Sequence, residues 1–132
     1  MRVVIADSKG WFDLIGDFKE TLDIRMINDK TQLTEEFLRT FQPDYVFFPH
    51  WNWVVSSSIH DNYNCIVFHT APLPYGRGGS PIQNLILNGF ETSPVCALKM
   101  TDELDAGPIY AKETVSLTGS LQQIFGRINE AV

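Results

Sequence analysis

The stretch Cys65-Ile66-Val67-Phe68-His69-Thr70-Ala71-Pro72-Leu73-Pro74-Tyr75-Gly76-Arg77-Gly78-Gly79-Ser80-Pro81-Ile82-Gln83 decides the fold. It opens on the apolar run Cys65 to Phe68, which reads as a strand. A loop rich in proline and glycine follows, from Thr70 to Gly79. Ser80 then suits an N-cap, Pro81 the first helical position, and Gln83 the far end of a capping box. Ile82, Leu85 and Ile86 give that helix its inner face, and Gly89 its stop. Strand, loop and helix in this succession form the unit from which α/β sheets are built.

Outward from there the unit repeats. Toward the N-terminus, Arg2 to Ala6 is a β-branched run. Trp11, Phe12, Leu14, Ile15, Phe18 and Leu22 recur at helical spacing behind it, with Asp7 or Ser8 as N-cap. Ile24 to Ile27 reads as a second strand. Asp29 and Gln32 show the capping-box pattern ahead of an apolar stripe of Leu33, Phe37 and Phe41, which Pro43 ends. Tyr45 to Phe48 is a third strand closed by Pro49, and His50 to Asn64 reads as turns. Toward the C-terminus, Val95 to Met100 and Ile109 to Val115 are the fifth and sixth strands. Ser120 with Gln123 caps a last helix bearing Leu121, Ile124, Phe125 and Ile128. The alternation predicts a Rossmann-like, doubly wound, mostly parallel sheet with helices on both faces, in one domain over residues 1–132. The chain stops at Val132 inside a helix with no closing signal, the pattern of a fragment or of an unusually short chain.

Bulk properties narrow the function classes. The chain has 132 residues, 44% hydrophobic and 20% charged, enough to bury a core without a disulfide or a structural metal. Cys65 and Cys96 each sit in an apolar run and read as buried small hydrophobes, not as a bridge. No apolar stretch reaches the roughly 18 to 20 residues of a membrane span. Asp7 interrupts the N-terminal apolar run too early for a signal peptide, so the expected location is the cytoplasm. The formal net charge is −6 and the ten basic residues are scattered. Phosphate neutralisation supplies much of the affinity of nucleic-acid binders, so this balance favours a small-molecule substrate.

In an open α/β sheet, ligands bind beyond the carboxyl ends of the strands. His69 follows the strand ending at Phe68, and Asp105 lies in the loop Thr101 to Pro108 after the fifth strand. Should those strands be neighbours, imidazole and carboxylate converge, an arrangement suited to general acid–base work. A structural histidine and a turn aspartate are the competing reading. The segment from Gly76 through Arg77 to Ser80 has the composition of a phosphate cradle, or of a tight turn against the sheet, and lacks a dinucleotide fingerprint. His50-Trp51-Asn52-Trp53 follows another strand end, where the rings either stack on a flat ligand or pack on one another. Neither the histidines nor the cysteines have metal-ligand spacing, and no serine-nucleophile elbow occurs.

The segment His69 to Gln83 resembles the signature of the folate-dependent formyltransferases, and Leu104-Asp105-Ala106-Gly107-Pro108-Ile109 is similar to their Leu-Asp-Thr-Gly element. The 36 positions between His69 and Asp105 match the family's interval, and the likeness runs from about Cys65 to Phe125. The resemblance implies transfer of a formyl group from 10-formyltetrahydrofolate to a primary amine without a metal. His69 would stabilise the oxyanion and share proton handling with Asp105. Leu73, Pro74 and Asp102 would line the folate site, and Trp51, Asn52, Arg77 and Asn84 would contact the acceptor. One departure stands out: the family's asparagine, two residues before the histidine, is here Val67. Losing one oxyanion donor typically costs about 10²–10³ in rate. Asn52 and Asn84 are the polar candidates to replace it.

Three acceptor readings follow. The acidic charge and the tryptophan pair put a nucleotide-linked amino sugar first. Methionyl-tRNA is the alternative, as is a non-catalytic folate- or nucleotide-binding homologue, for which Val67 argues. A homodimer is among the expected assemblies.

Overall fold

The computed structural model describes residues 1–10, 20–73 and 80–132. The helix expected over Trp11, Phe12, Leu14, Ile15 and Phe18 lies outside the described residues. The chain divides into two compact units, Met1–Val67 and Phe68–Val132. The strands form one six-stranded sheet in the order β2-β1-β3-β4-β5-β6.

In the first unit, β1 (Arg2–Asp7) is buried at every position after Arg2, as its unbroken apolar run requires. It pairs in parallel with β2 (Asp23–Ile27) on one side and with β3 (Tyr45–His50) on the other. Parallel pairing of β3 with β4 (Cys65–Thr70) runs from Val46↔Cys65 to Phe48↔Val67. Val3 and Ile5 form a small core with Leu22, Ile24 and Phe47 packed against it.

Three expectations in this unit are corrected. The capping box at Asp29 and Gln32 exists, but it closes a 3₁₀ turn over Lys30–Gln32 and not the long helix. That helix, α1 (Glu35–Phe41), starts later, where the Thr34 hydroxyl accepts a bond from the Phe37 amide at 3.0 Å. It ends where Gln42 turns left-handed at φ 51°, just ahead of Pro43. Pro49 does not end β3, which continues to His50. Proline cannot donate to a ladder, and it sits where its cost is small. The register with β4 reaches Phe48↔Val67, and the register with β1 shifts between Ile5 and Asp7. The turn-rich stretch after His50 contains a short helix, α2 (Ser57–His60).

In the second unit, β5 (Thr92–Lys99) and β6 (Ile109–Ser116) form an antiparallel hairpin. α3 (Pro81–Leu87) and α4 (Leu121–Ala131) bury Ile82, Leu85, Ile124 and Ile128 in a core with Ala71, Val95, Val115 and Leu117. Ile86, expected inward, is exposed, because α3 turns only Ile82 and Leu85 onto the core. Pro81 takes the first helical position as expected. Ser80 does not cap through its side chain and stands left-handed at φ 53°. The box at Ser120 forms in full: its hydroxyl accepts from Gln123 at 3.2 Å, and the Gln123 side chain accepts from the Ser120 amide at 3.0 Å.

Both cysteines are free and buried. Burial pushes the Cys65 thiol from its ordinary 9.0 up to about 12. A thiol that ionises more readily unfolded than folded stabilises the fold below pH 9 and loses that contribution as pH rises toward 12. Urea midpoints should therefore fall more steeply above pH 9 in the parent than in Cys65→Ala. Gly126 lies exposed in α4, and an added Cβ there meets nothing within 4 Å. Gly126→Ala should raise stability by about 0.5–1 kcal/mol, read as a higher melting temperature.

Candidate functional site

Sheet packing delivers the first component. β4 carries Cys-Ile-Val-Phe-His-Thr, and its last two residues, His69 and Thr70, are both buried. The strand thus runs two residues past Phe68, and His69 belongs to the strand itself. Ala71 continues as a core residue with no exposed surface, and its carbonyl accepts a bond from the Cys96 thiol of β5 at 3.5 Å. That bond ties the backbone just past His69 to the neighbouring strand.

The hairpin loop delivers the second. The Lys99 amide donates to the Pro108 carbonyl at 2.9 Å, closing the loop that carries Asp105. Asp105 adopts φ 52°, the left-handed region, which aspartate tolerates better than most residues. Its side chain retains 6% of its exposure, and that of His69 retains 7%. Within the second unit the His69 Nδ1 and the Asp105 Oδ2 lie 3.2 Å apart. The convergence read from the two strand ends is therefore present.

This geometry sets the chemistry. A carboxylate at Nδ1 holds the ring in one orientation and selects the tautomer with its proton on Nδ1. Nδ1 is committed to Asp105, which makes Nε2 the ring nitrogen through which the pair can exchange a proton. If the ring becomes an imidazolium, the buried carboxylate stabilises it, and low solvent access strengthens that attraction. The pair can accept a proton from an attacking group, and a charged ring can donate to a developing oxyanion. Among the described residues no group of His, Cys, Asp and Glu could hold a metal ion.

The other expected site residues are distributed as follows. Leu73 packs on the second unit's core, and its amide donates to the Ala71 carbonyl at 2.9 Å, a tight turn directly after the histidine strand. Asp102 is exposed on the Asp105 loop. Pro74 and Arg77 lie outside the described residues. Asn84 is exposed on α3, where its carbonyl accepts from the Asn88 side chain at 2.7 Å. Val67 is half-buried, two residues before His69 on the same strand and so on the same face of it. In the first unit, Trp51 meets Trp53 edge-on at 4.9 Å and Phe48 at 5.9 Å, which favours the packing reading. Asn52 between them is exposed.

Sequence reading missed Thr70 and Cys96 as supports of the histidine. Thr70 reads as the start of the loop, and a lone cysteine in an apolar strand reads as filler.

The description "Formyl transferase" belongs to the family profile that matches residues 17–130 of this chain. The methionyl-tRNA formyltransferase of Agathobacter rectalis is 38% identical over 84 residues, 62% of this chain and 27% of that protein. A solved methionyl-tRNA formyltransferase from Clostridium thermocellum superposes with a TM-score of 0.91 at 35% identity, over 98% of this chain and 60% of that one. The formyltransferase PseJ from Anoxybacillus kamchatkensis, at 17% identity, shares the fold with a TM-score of 0.78 over 99% of this chain and 70% of that one. The chain thus spans well under two thirds of the curated relative's length.

Proposed function

Because the chain belongs to the formyl transferase family, we propose that it moves a formyl group from 10-formyltetrahydrofolate to a primary amine, with methionyl-tRNA as the first acceptor to test. The observation that carries this reading is the buried His69–Asp105 pair, 3.2 Å apart at the end of β4. The folate donor supplies an activated one-carbon unit. His69, through Nε2, takes up the proton that the attacking amine must lose and stabilises negative charge on the formyl oxygen. Asp105 keeps the ring in register and stabilises it when it is charged. Leu73, in the tight turn after His69, supports an apolar wall for the donor, and Asp102 offers a polar contact on the facing loop.

The acceptor ranking drawn from charge and tryptophans reverses. Methionyl-tRNA formyltransferases are the relatives at 38% and 35% identity. A charge of −6 on a chain that aligns with only part of such a relative carries little weight against an RNA acceptor. Trp51 and Trp53 pack on one another, which weakens their use as a stacking platform. The nucleotide-sugar reading keeps one support: PseJ was solved with UDP-4,6-dideoxy-4-formamido-L-AltNAc and tetrahydrofolate.

Turnover separates these readings. Tetrahydrofolate release that depends on methionyl-tRNA supports the first, and release that depends on a UDP-amino sugar supports the second. Folate binding without release on either acceptor supports a non-catalytic homologue. His69→Ala and Asp105→Ala should each lower kcat by about 10²–10⁴ with the circular dichroism spectrum unchanged; rates within a few-fold of the parent refute the assignment. Val67→Asn restores an amide on the His69 face of β4 and should raise kcat by up to about 10², on the scale of one oxyanion donor. A lower or unchanged kcat in that variant would mean another group already fills the role.

A further inference from the structure

Three departures from regular geometry fall between Asp105 and Tyr110, and all bear on one carboxylate. Asp105 itself is left-handed at φ 52°. Gly107 packs so tightly against β5 that an added Cβ would overlap the Lys99 carbonyl oxygen. That Cβ would also stand 2.9 Å from the Lys99 carbonyl carbon and 3.3 Å from the Thr101 methyl. The hairpin register slips from Ala97↔Ala111 to Leu98↔Ile109, leaving Tyr110 as an extra residue in β6. Such a bulge re-aims the chain next to it. On the near side of the loop, the Thr101 hydroxyl donates to the Glu103 carbonyl at 3.1 Å.

The Lys99 peptide is therefore gripped on both sides. Its amide donates to Pro108, and its carbonyl lies against the bare Cα of Gly107. Any side chain at 107 must push the loop away from β5, and Asp105 is two residues upstream on that loop. An ion-pair contact of 3.2 Å between two buried groups has little slack, because hydrogen-bond geometry degrades steeply with distance and angle. We infer that Gly107 is a positioning residue for the His69–Asp105 pair, assisted by Thr101. Its lack of a side chain lets the hairpin loop close far enough to bring the carboxylate to Nδ1. The requirement is for close approach and not for an unusual φ, which separates Gly107 from Gly89 at φ 83°.

This inference rests on the proposed role of the pair, and its test includes a readout independent of turnover. Nitrogen-15 NMR of labelled histidine reports the His69 tautomer directly, with Asp105→Ala defining the value for a ring that has lost its carboxylate. Gly107→Ala should move the His69 signals most of the way to that value and lower kcat about 10–100-fold, with KM within about 3-fold. Gly89→Ala is the control, since it strains the backbone but its Cβ meets nothing within 4 Å. It should leave the His69 signals at parental values. Folded Gly107→Ala with parental signals would overturn the inference. Where Gly107→Ala does not fold, Thr101→Val decides: signals displaced part-way toward those of Asp105→Ala support the role, and parental signals refute it. If Asp105→Ala retains full turnover, the catalytic role of the pair fails while the positioning result stands by itself.

Discussion

Water is the best solvent for a carboxylate, and removing one from water demands a partner with opposite charge or a proton to share. Asp105 keeps only 6% of its side-chain exposure, and its partner is the Nδ1 of His69 at 3.2 Å. Much of the second unit can be understood as the consequence of that arrangement. The hairpin of β5 and β6 must close tightly enough to bring the loop over the end of β4, and Asp105 must accept a left-handed backbone to face the ring. Breaking such a buried pair strands the remaining group, so the same contact that organises the chemistry also makes the loop intolerant of change.

How much of this could be read from the residues depended on whether local signals agreed with tertiary demand. β1 was legible because Val3 to Ala6 are buried together, and a buried parallel strand writes itself as an apolar run. The Ser120–Gln123 box was legible because both halves of its hydrogen-bond exchange are local. The Asp29–Gln32 box formed as well, yet it closed a 3₁₀ turn, because Thr34 offered a second cap with the helix behind it. Pro49 misled for a different reason. Its missing amide matters only where a neighbour needs it, and strand pairing around it had already loosened.

The proposed site was legible in the two residues that converge and not in their supports. His69 and Asp105 announce themselves by residue type and by their place after strands. The thiol of Cys96, bonded to the Ala71 carbonyl, has no signature in a linear reading. Gly107 sits in the Leu-Asp-Ala-Gly run, but only the position of the Lys99 carbonyl shows why a side chain is excluded there. The tryptophan pair illustrates the opposite error. Its residue type suggests a ligand surface, and the rings pack against each other and Phe48 instead.

His69 ends a strand, and a residue in a hydrogen-bonded ladder surrenders its backbone freedom when the protein folds. An imidazole carried on a closing lid would surrender that freedom anew in every catalytic cycle. Here the ordering cost falls once, at synthesis, so in the proposed reaction the ring is aimed before any molecule arrives.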